Sequence, residues 1–205
     1  MRYPVPDLPA GKRHAGEIEV EKSRFLAWLC YAPDVGAFEA MLAEARRLHP
    51  GASHHCSAFI AGPPGEQSAI GFSDDGEPGG TAGRPMYQVL QGSGLGQVGC
   101  VVTRYFGGTK LGTGGLARAY AQAASQALET LPRREVVERR PLRLQVAFAS
   151  EAEARAWLTE RDTPVEQADY GTDGVTLRVG WPSDTPLDLS ELESRLRGRL
   201  KRLDD

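Results

Sequence analysis

At 205 residues the chain suits one large domain or two small ones, and 40% hydrophobic with 25% charged residues is the composition of a folded globular protein. Its net charge of −3 gives no bulk pull towards nucleic acid or an anionic membrane, so any such contact must come from a local patch. The N-terminus has no apolar signal core and no apolar run approaches ~18 residues, so a cytoplasmic protein without a membrane span is expected; Cys30, Cys56 and Cys100, isolated in apolar runs, read as buried reduced thiols.

Residues 1–13, rich in Pro and Gly, read as an extended lead-in. Ile18 and Val20 alternate with glutamates as a half-exposed strand. Lys22-Ser23-Arg24 is a turn or a bulge, and Phe25 to Tyr31 is a central strand covered on both faces. Asp34 can cap a helix with Phe38, Met41, Leu42, Ala45 and Leu48 on one side, stopped by Pro50-Gly51. Ser57 to Ala61 and Gln67 to Phe72 form a hairpin around Gly62-Pro63-Pro64-Gly65. A short helix from about Gly83 to Gln91, a buried strand from Val98 to Phe106 and a helix from about Gly114 to Leu131 follow.

Residues 133–141 are a charged joint, and the texture beyond it is plainly amphipathic. Leu142 to Phe148 alternate as a strand, and Ser150 can cap a helix carrying Ala154, Trp157 and Leu158. Val165 to Tyr170 is a weaker strand, Asp173-Gly174 a hairpin turn, and Val175 to Trp181 alternate again. Leu189, Leu192 and Leu196 mark a helix, and Gly198 to Leu203 is read as a strand in preference to a helical tail. This βαββαβ order is the ferredoxin-like pattern. Two domains are expected, 1–141 with its core at about 15–132, and 142–205. The second holds 9 Lys and Arg against 13 Asp and Glu, a net of −4, which leaves 15 against 14 on the first. An acidic domain of this kind does not look like an independent nucleic-acid binder.

Chemistry concentrates between Phe72 and Tyr120, where two glycine-rich segments flank one helix and one strand. In the second, Gly107 and Gly108 precede Gly112, Gly114 and Gly115 at the start of a helix, with Arg104, Lys110 and Arg118 nearby. Unpaired N–H groups and the helix dipole make such a place fit for a phosphate. No Gly-Lys-Ser/Thr follows at P-loop spacing, and a tight strand-to-helix turn would need the same glycines. The first segment carries Asp74, Asp75 and Glu77, which could hold Mg²⁺, act as acid and base, cap the next helix or pair with Arg84, Arg104 or Lys110. Glu77-Pro78-Gly79-Gly80-Thr81 reads as a rigid turn delivering Thr81 to a helix start. His54-His55-Cys56 matches no zinc spacing, and neighbouring strand residues face opposite ways, so at most one of the two histidines faces a cleft and no metal or cofactor is expected.

Lys22-Ser23-Arg24-Phe25, His54-His55-Cys56, Ser73 to Pro78 with Gly80 to Gly83, Arg104 to Gly108, Leu111 to Leu116 and Ala119-Tyr120 together resemble the IMPACT family, in its bacterial YigZ-type branch. The match is collinear over about residues 15–132. The resemblance implies an α+β protein with an N-terminal domain like domain 2 of ribosomal protein S5, and a ferredoxin-like C-terminal domain like the last domain of elongation factor G. Eukaryotic members regulate translation under stress by competing for an activator of an initiation-factor kinase. The partner-binding domain they add has no counterpart here, so that pathway is not carried over. What is carried over is an expectation of nucleic-acid binding linked to translation.

Three readings stay open. A non-enzymatic binding protein would contact RNA or the ribosome through Arg104, Lys110 and Arg118, with Arg24, Arg84 and His54 as lesser candidates. An enzyme would act on a phosphorylated small molecule through Asp74, Asp75 or Glu77. An interaction module would use the glycine loops only as structure and dock a protein partner on its C-terminal domain.

Overall fold

The computed structural model describes residues 1–203 as two compact units, one of residues 3–136 and one of residues 1–2 with 137–203.

The larger unit is built on a five-stranded antiparallel sheet. In chain order its elements are β1 (Arg2–Pro6), β2 (Arg13–Val20), β3 (Ser23–Tyr31), α1 (Val35–Leu48), β4 (His54–Ile60), β5 (Ile70–Ser73), α2 (Gly83–Gly92), β6 (Val98–Tyr105), α3 (Gly112–Glu129) and β7 (Arg133–Val137). The sheet order is β2-β3-β6-β4-β5. Strand alternation sends Phe25, Ala27 and Leu29 of β3 to one face, where they pack with Met86 and Leu90 of α2 and Leu116, Ala123 and Ala127 of α3. Trp28 and Cys30 point to the other face, against Phe38, Met41 and Ala45 of α1. The expected coverage of both faces therefore has separate helices behind it. Asp34 caps α1, its Oδ1 accepting from the Ala37 N–H at 2.8 Å. Leu48, expected on the core side of α1, is 41% exposed because it falls in the last turn.

Three segments differ from the sequence reading. The lead-in is strand β1, hydrogen-bonded to β7, which occupies the first part of the charged joint. Tyr3 and Val5 of β1 are buried. Partners about 130 residues apart leave no local signal. The turn between β2 and β3 has Glu21 and Lys22 both at positive φ, 48° and 64°, as a two-residue hairpin turn requires. Phe148 leaves its strand for a 3₁₀ turn, Phe148–Ser150, and Ser150 makes no side-chain capping bond to the helix after it.

The smaller unit runs β8 (Arg139–Val146), α4 (Glu151–Glu160), β9 (Val165–Tyr170), β10 (Val175–Pro182), α5 (Ser190–Arg195) and β11 (Leu200–Leu203). Its antiparallel sheet has the order β11-β8-β10-β9. Leu144, Val146, Leu177 and Val179 pack with Trp157 and Leu158 of α4 and Leu192 of α5. The final segment is a strand, pairing Leu200 with Val146.

Candidate functional site

One end of the five-stranded sheet gathers the start of β3 at Ser23, the start of β4 at His54 and the end of β6 at Arg104. Strand register sets Arg104 opposite both Phe25 and His54. Both glycine-rich segments arrive at this end. The second passes so close to the β2–β3 turn that a Cβ on Gly107 would lie 2.1 Å from the Lys22 carbonyl carbon, so no other residue fits there. The Gly107 N–H donates to Ser23 Oγ at 3.1 Å.

Glu77 is the centre of the arrangement. Its side chain is 4% exposed, and Oε1 accepts from Arg104 Nη1 at 2.6 Å and from the Tyr120 hydroxyl at 2.8 Å. Arg104 Nη2 donates to Ser23 Oγ at 3.3 Å. The other Glu77 oxygen lies 3.7 Å from His54 Nε2. A buried carboxylate is tolerated only with such partners. Burial, with the Cys56 and Glu77 groups beside it, pushes the Tyr120 hydroxyl far up, so it stays a donor.

The other first-segment residues hold the loop. Asp74 accepts from the backbone N–H groups of Gly80 (2.8 Å), Ala82 (3.1 Å) and Gly83 (2.8 Å), taking the capping role at the start of α2. Burial opposes its charge, but those donors outweigh burial and keep its pKa below the usual aspartate value. Asp75 Oδ2 accepts from the His55 N–H at 2.7 Å, and Oδ1 pairs with Arg46 at 3.2 Å. Thr81 is buried and donates to the Pro78 carbonyl at 2.6 Å. Acids beside a run of unpaired N–H groups are drawn to them, so Asp74 and Asp75 act as scaffold and Glu77 alone reaches the cleft.

The cleft is a cavity of about 540 Å³. Its walls are Ser53 and His54 before and on β4, Glu77 and Pro78 of the first segment, Arg104 and Phe106 at the end of β6, and residues 110–113 with Leu116 at the start of α3. Leu111 stands at the α3 N-cap with no side-chain capping bond, and the first turn holds no acid. Gly112, at φ 72°, and Thr113 thus bring the positive helix end to the cavity beside exposed Lys110. Gly107, Gly108, Gly114 and Gly115 shape the segment without lining the cavity, and among the five glycine candidates Gly112 lies on its wall.

The other cation candidates go elsewhere. Arg118 is exposed further along α3 and folds back over Gly114, with Nη1 3.3 Å from where a Cβ would be. Arg84 is exposed on α2. Arg24 is exposed, pairs with Glu17 at 2.6 Å and lies over the Tyr105 ring. Alternation on β4 turns His54 to the cavity and buries His55, whose Nδ1 lies 3.0 Å from Thr103 Oγ1 and whose pKa burial pushes down. Cys56 donates to the Asp74 carbonyl, and burial lifts its thiol to about 12, leaving it inert as a nucleophile. Among the described residues, no group of three or more His, Cys, Asp or Glu could hold a metal ion. No described helix is long and apolar enough to cross a membrane.

Sequence reasoning passed over Ser53, Phe106 and the Tyr120 hydroxyl. Phe106 is 52% exposed at the cavity rim, and the Arg104 guanidinium carbon lies 5.5 Å from its ring centre. Its place after an apolar strand disguised it as core. A second cavity of about 410 Å³ near the start of α1 is lined by exposed Lys12, but its Arg13 stacks on Trp28 and pairs with Glu44, and Asp34 already caps the helix end there.

The residues that build this cleft lie within the span of a known domain: residues 21–128 match the Impact N-terminal domain. The chain belongs to the IMPACT family. It is 40% identical over 186 residues to the IMPACT family member YigZ of Escherichia coli (strain K12), covering 90% of this chain and 91% of that protein. It is 37% identical to the IMPACT family member YvyE of Bacillus subtilis (strain 168) over 155 residues, 75% of this chain and 67% of that one. The fold is similar to a crystal structure of a hypothetical protein, with a TM-score of 0.70 at 38% identity over 98% of this chain and 96% of the other. All four parts of the cleft, from Ser53 to Leu116, fall inside the IMPACT match.

Proposed function

We propose that this IMPACT family member is a non-enzymatic binding protein linked to translation, which takes an RNA phosphate, free or on the ribosome, in the cavity at the start of α3. The observation that carries the reading is the uncapped N-terminus of α3 opening into a cavity that also holds Lys110. Phe106, half exposed at the rim, adds a face on which a base can stack. The link to translation follows the family resemblance. A carboxylate site for a metal-dependent enzyme is less well supported, because Asp74 and Asp75 are engaged by backbone donors.

Finer readings of fold and organisation belong to the same proposal. The order β11-β8-β10-β9 with two helices supports a ferredoxin-like C-terminal domain, and the sheet with α2 and α3 on one face supports an N-terminal domain like domain 2 of ribosomal protein S5. The division into compact units after Val136, within the charged joint, supports a domain boundary near Pro141. A protein partner would fall to the acidic C-terminal domain, and the cytoplasm is the compartment in which ribosomes would be met.

Co-sedimentation with ribosomes and with bulk RNA across a salt series tests the reading, with Lys110→Ala beside the parent. Lys110 is the right probe because it is exposed, whereas removing Arg104 would strand buried Glu77. Loss of one phosphate contact weakens binding and lowers the salt slope by about one. Binding with an unchanged slope removes Lys110 from the interface, and no binding at low salt overturns the function.

A further inference from the structure

We propose that the cavity at the start of α3 prefers a terminal phosphate, a phosphate monoester, and that protonated His54 is one of its donors. This inference rests on the anion-site reading above and names the chemical class that the site selects.

His54 Nδ1 lies 2.8 Å from the main-chain oxygen of Asp75. A carbonyl oxygen only accepts, so Nδ1 carries the ring proton in the neutral form. Nε2 is then the ring nitrogen without a proton, on a side chain that lines the cavity and 3.7 Å from Glu77 Oε2. Protonation turns it into a second N–H donor. The charged groups around the ring are Glu77 from the first glycine-rich segment, Arg104 opposite it on β6, and Lys110 on the same cavity wall. Asp75 meets the ring through its carbonyl, while its carboxylate is held by the His55 N–H and by Arg46 of α1.

Charge matching points to the ligand class. Arg104 and Glu77 cancel each other at 2.6 Å. What remains is Lys110, the end of α3 at about half a charge, and His54 when it is protonated. Lys110 and the helix end together come to about +1.5, more than the single charge of an internal phosphodiester and close to the charge of about −1.5 to −2 on a monoester near pH 7. An imidazolium adds an N–H donor and a surplus of positive charge, which favours the more highly charged ligand. A second feature supports an added ligand. Arg104, 5% exposed on the cavity wall, has an Nε with no hydrogen-bond partner among the described residues, so the guanidinium keeps donor capacity the protein does not use.

The test titrates the full chain with three RNA oligomers of one sequence, 5′-phosphorylated, 3′-phosphorylated and unphosphorylated. One charge-assisted hydrogen bond more corresponds to about tenfold to hundredfold tighter binding of a phosphorylated end. The His54→Asn variant, whose amide can still donate to the Asp75 carbonyl, loses that preference while it still binds the unphosphorylated oligomer. Adding a nucleoside 5′-monophosphate separates the two sources of a monoester. Displacement at matching concentration assigns the site to a small phosphorylated ligand, and displacement only at large excess assigns it to an RNA end; the monoester class stands either way. Equal binding of all three oligomers overturns this inference and leaves the anion site standing. Binding of none overturns both.

Discussion

Arg104 and Glu77 form a buried ion pair, and the physics of such pairs is lopsided. Deleting one partner leaves an uncompensated charge in a poorly solvated place, whereas neutralising both costs much less. Arg104→Met is therefore expected to destabilise by about 3–5 kcal/mol, Glu77→Gln to be costly as well, and the double variant to lose far less than the sum. Urea unfolding of the four proteins closes this double-mutant cycle, and additive losses would mean that the two side chains do not depend on each other. Part of the pair was legible beforehand: an arginine inside the apolar run Val98 to Phe106 announces a buried charge in need of a partner. Which of Asp74, Asp75 and Glu77 would meet it was not legible. That choice depends on where the loop's own N–H groups point, and they claim Asp74 three times over. Tyr120 was placed in the core of α3 correctly, yet only its packing shows that the hydroxyl ends on Glu77.

At the scale of the element, α2 and α3 contrast. Each begins after glycines, but α2 receives an anion from within the chain, Asp74, while α3 receives none among the described residues. One helix end is thus satisfied by the fold and the other opens into the cavity. Loss of a cap typically costs about 1–2 kcal/mol, and Asp74→Ala is expected to lower stability by that amount at neutral pH. The dependence on pH has a definite sign. The folded state holds the Asp74 pKa below its unfolded value of about 3.9, so the contribution is fully present above that value. It disappears as pH falls through the folded pKa. The gap between parent and variant should therefore narrow from about pH 5 to about pH 2, read as the difference in urea midpoints. A constant gap would mean that the aspartate acts through its shape and not its charge. The elements themselves were legible because periodicity and turn residues agree along most of the chain. β1 and the first half of the charged joint were not, since their strand character comes from pairing with each other.

Among the described residues there are three hydrophobic cores that share no residue: one under α2 and α3 and one under α1 in the larger unit, and one under α4 and α5 in the smaller. The change from glycine-rich loops to plain amphipathic elements signalled two kinds of unit in the sequence, while strand order, fixed by long-range pairing, had to come from the structure. Each core should answer for its own unit. Leu144 is fully buried between its sheet and helices, and Leu144→Ala is expected to cost about 2–5 kcal/mol through lost transfer energy and the cavity left behind. Hydrogen exchange can locate that cost. Amides of β8, β10 and β11 should lose protection, while those of β3 and β6, which stand in the larger unit, keep theirs. The proposed binding of RNA at the α3 cavity should then persist in this variant at temperatures where the smaller unit has opened. A loss of protection in β3 and β6 of equal size would instead make the chain one cooperative body, and the cleft would then depend on a core to which it contributes no side chain.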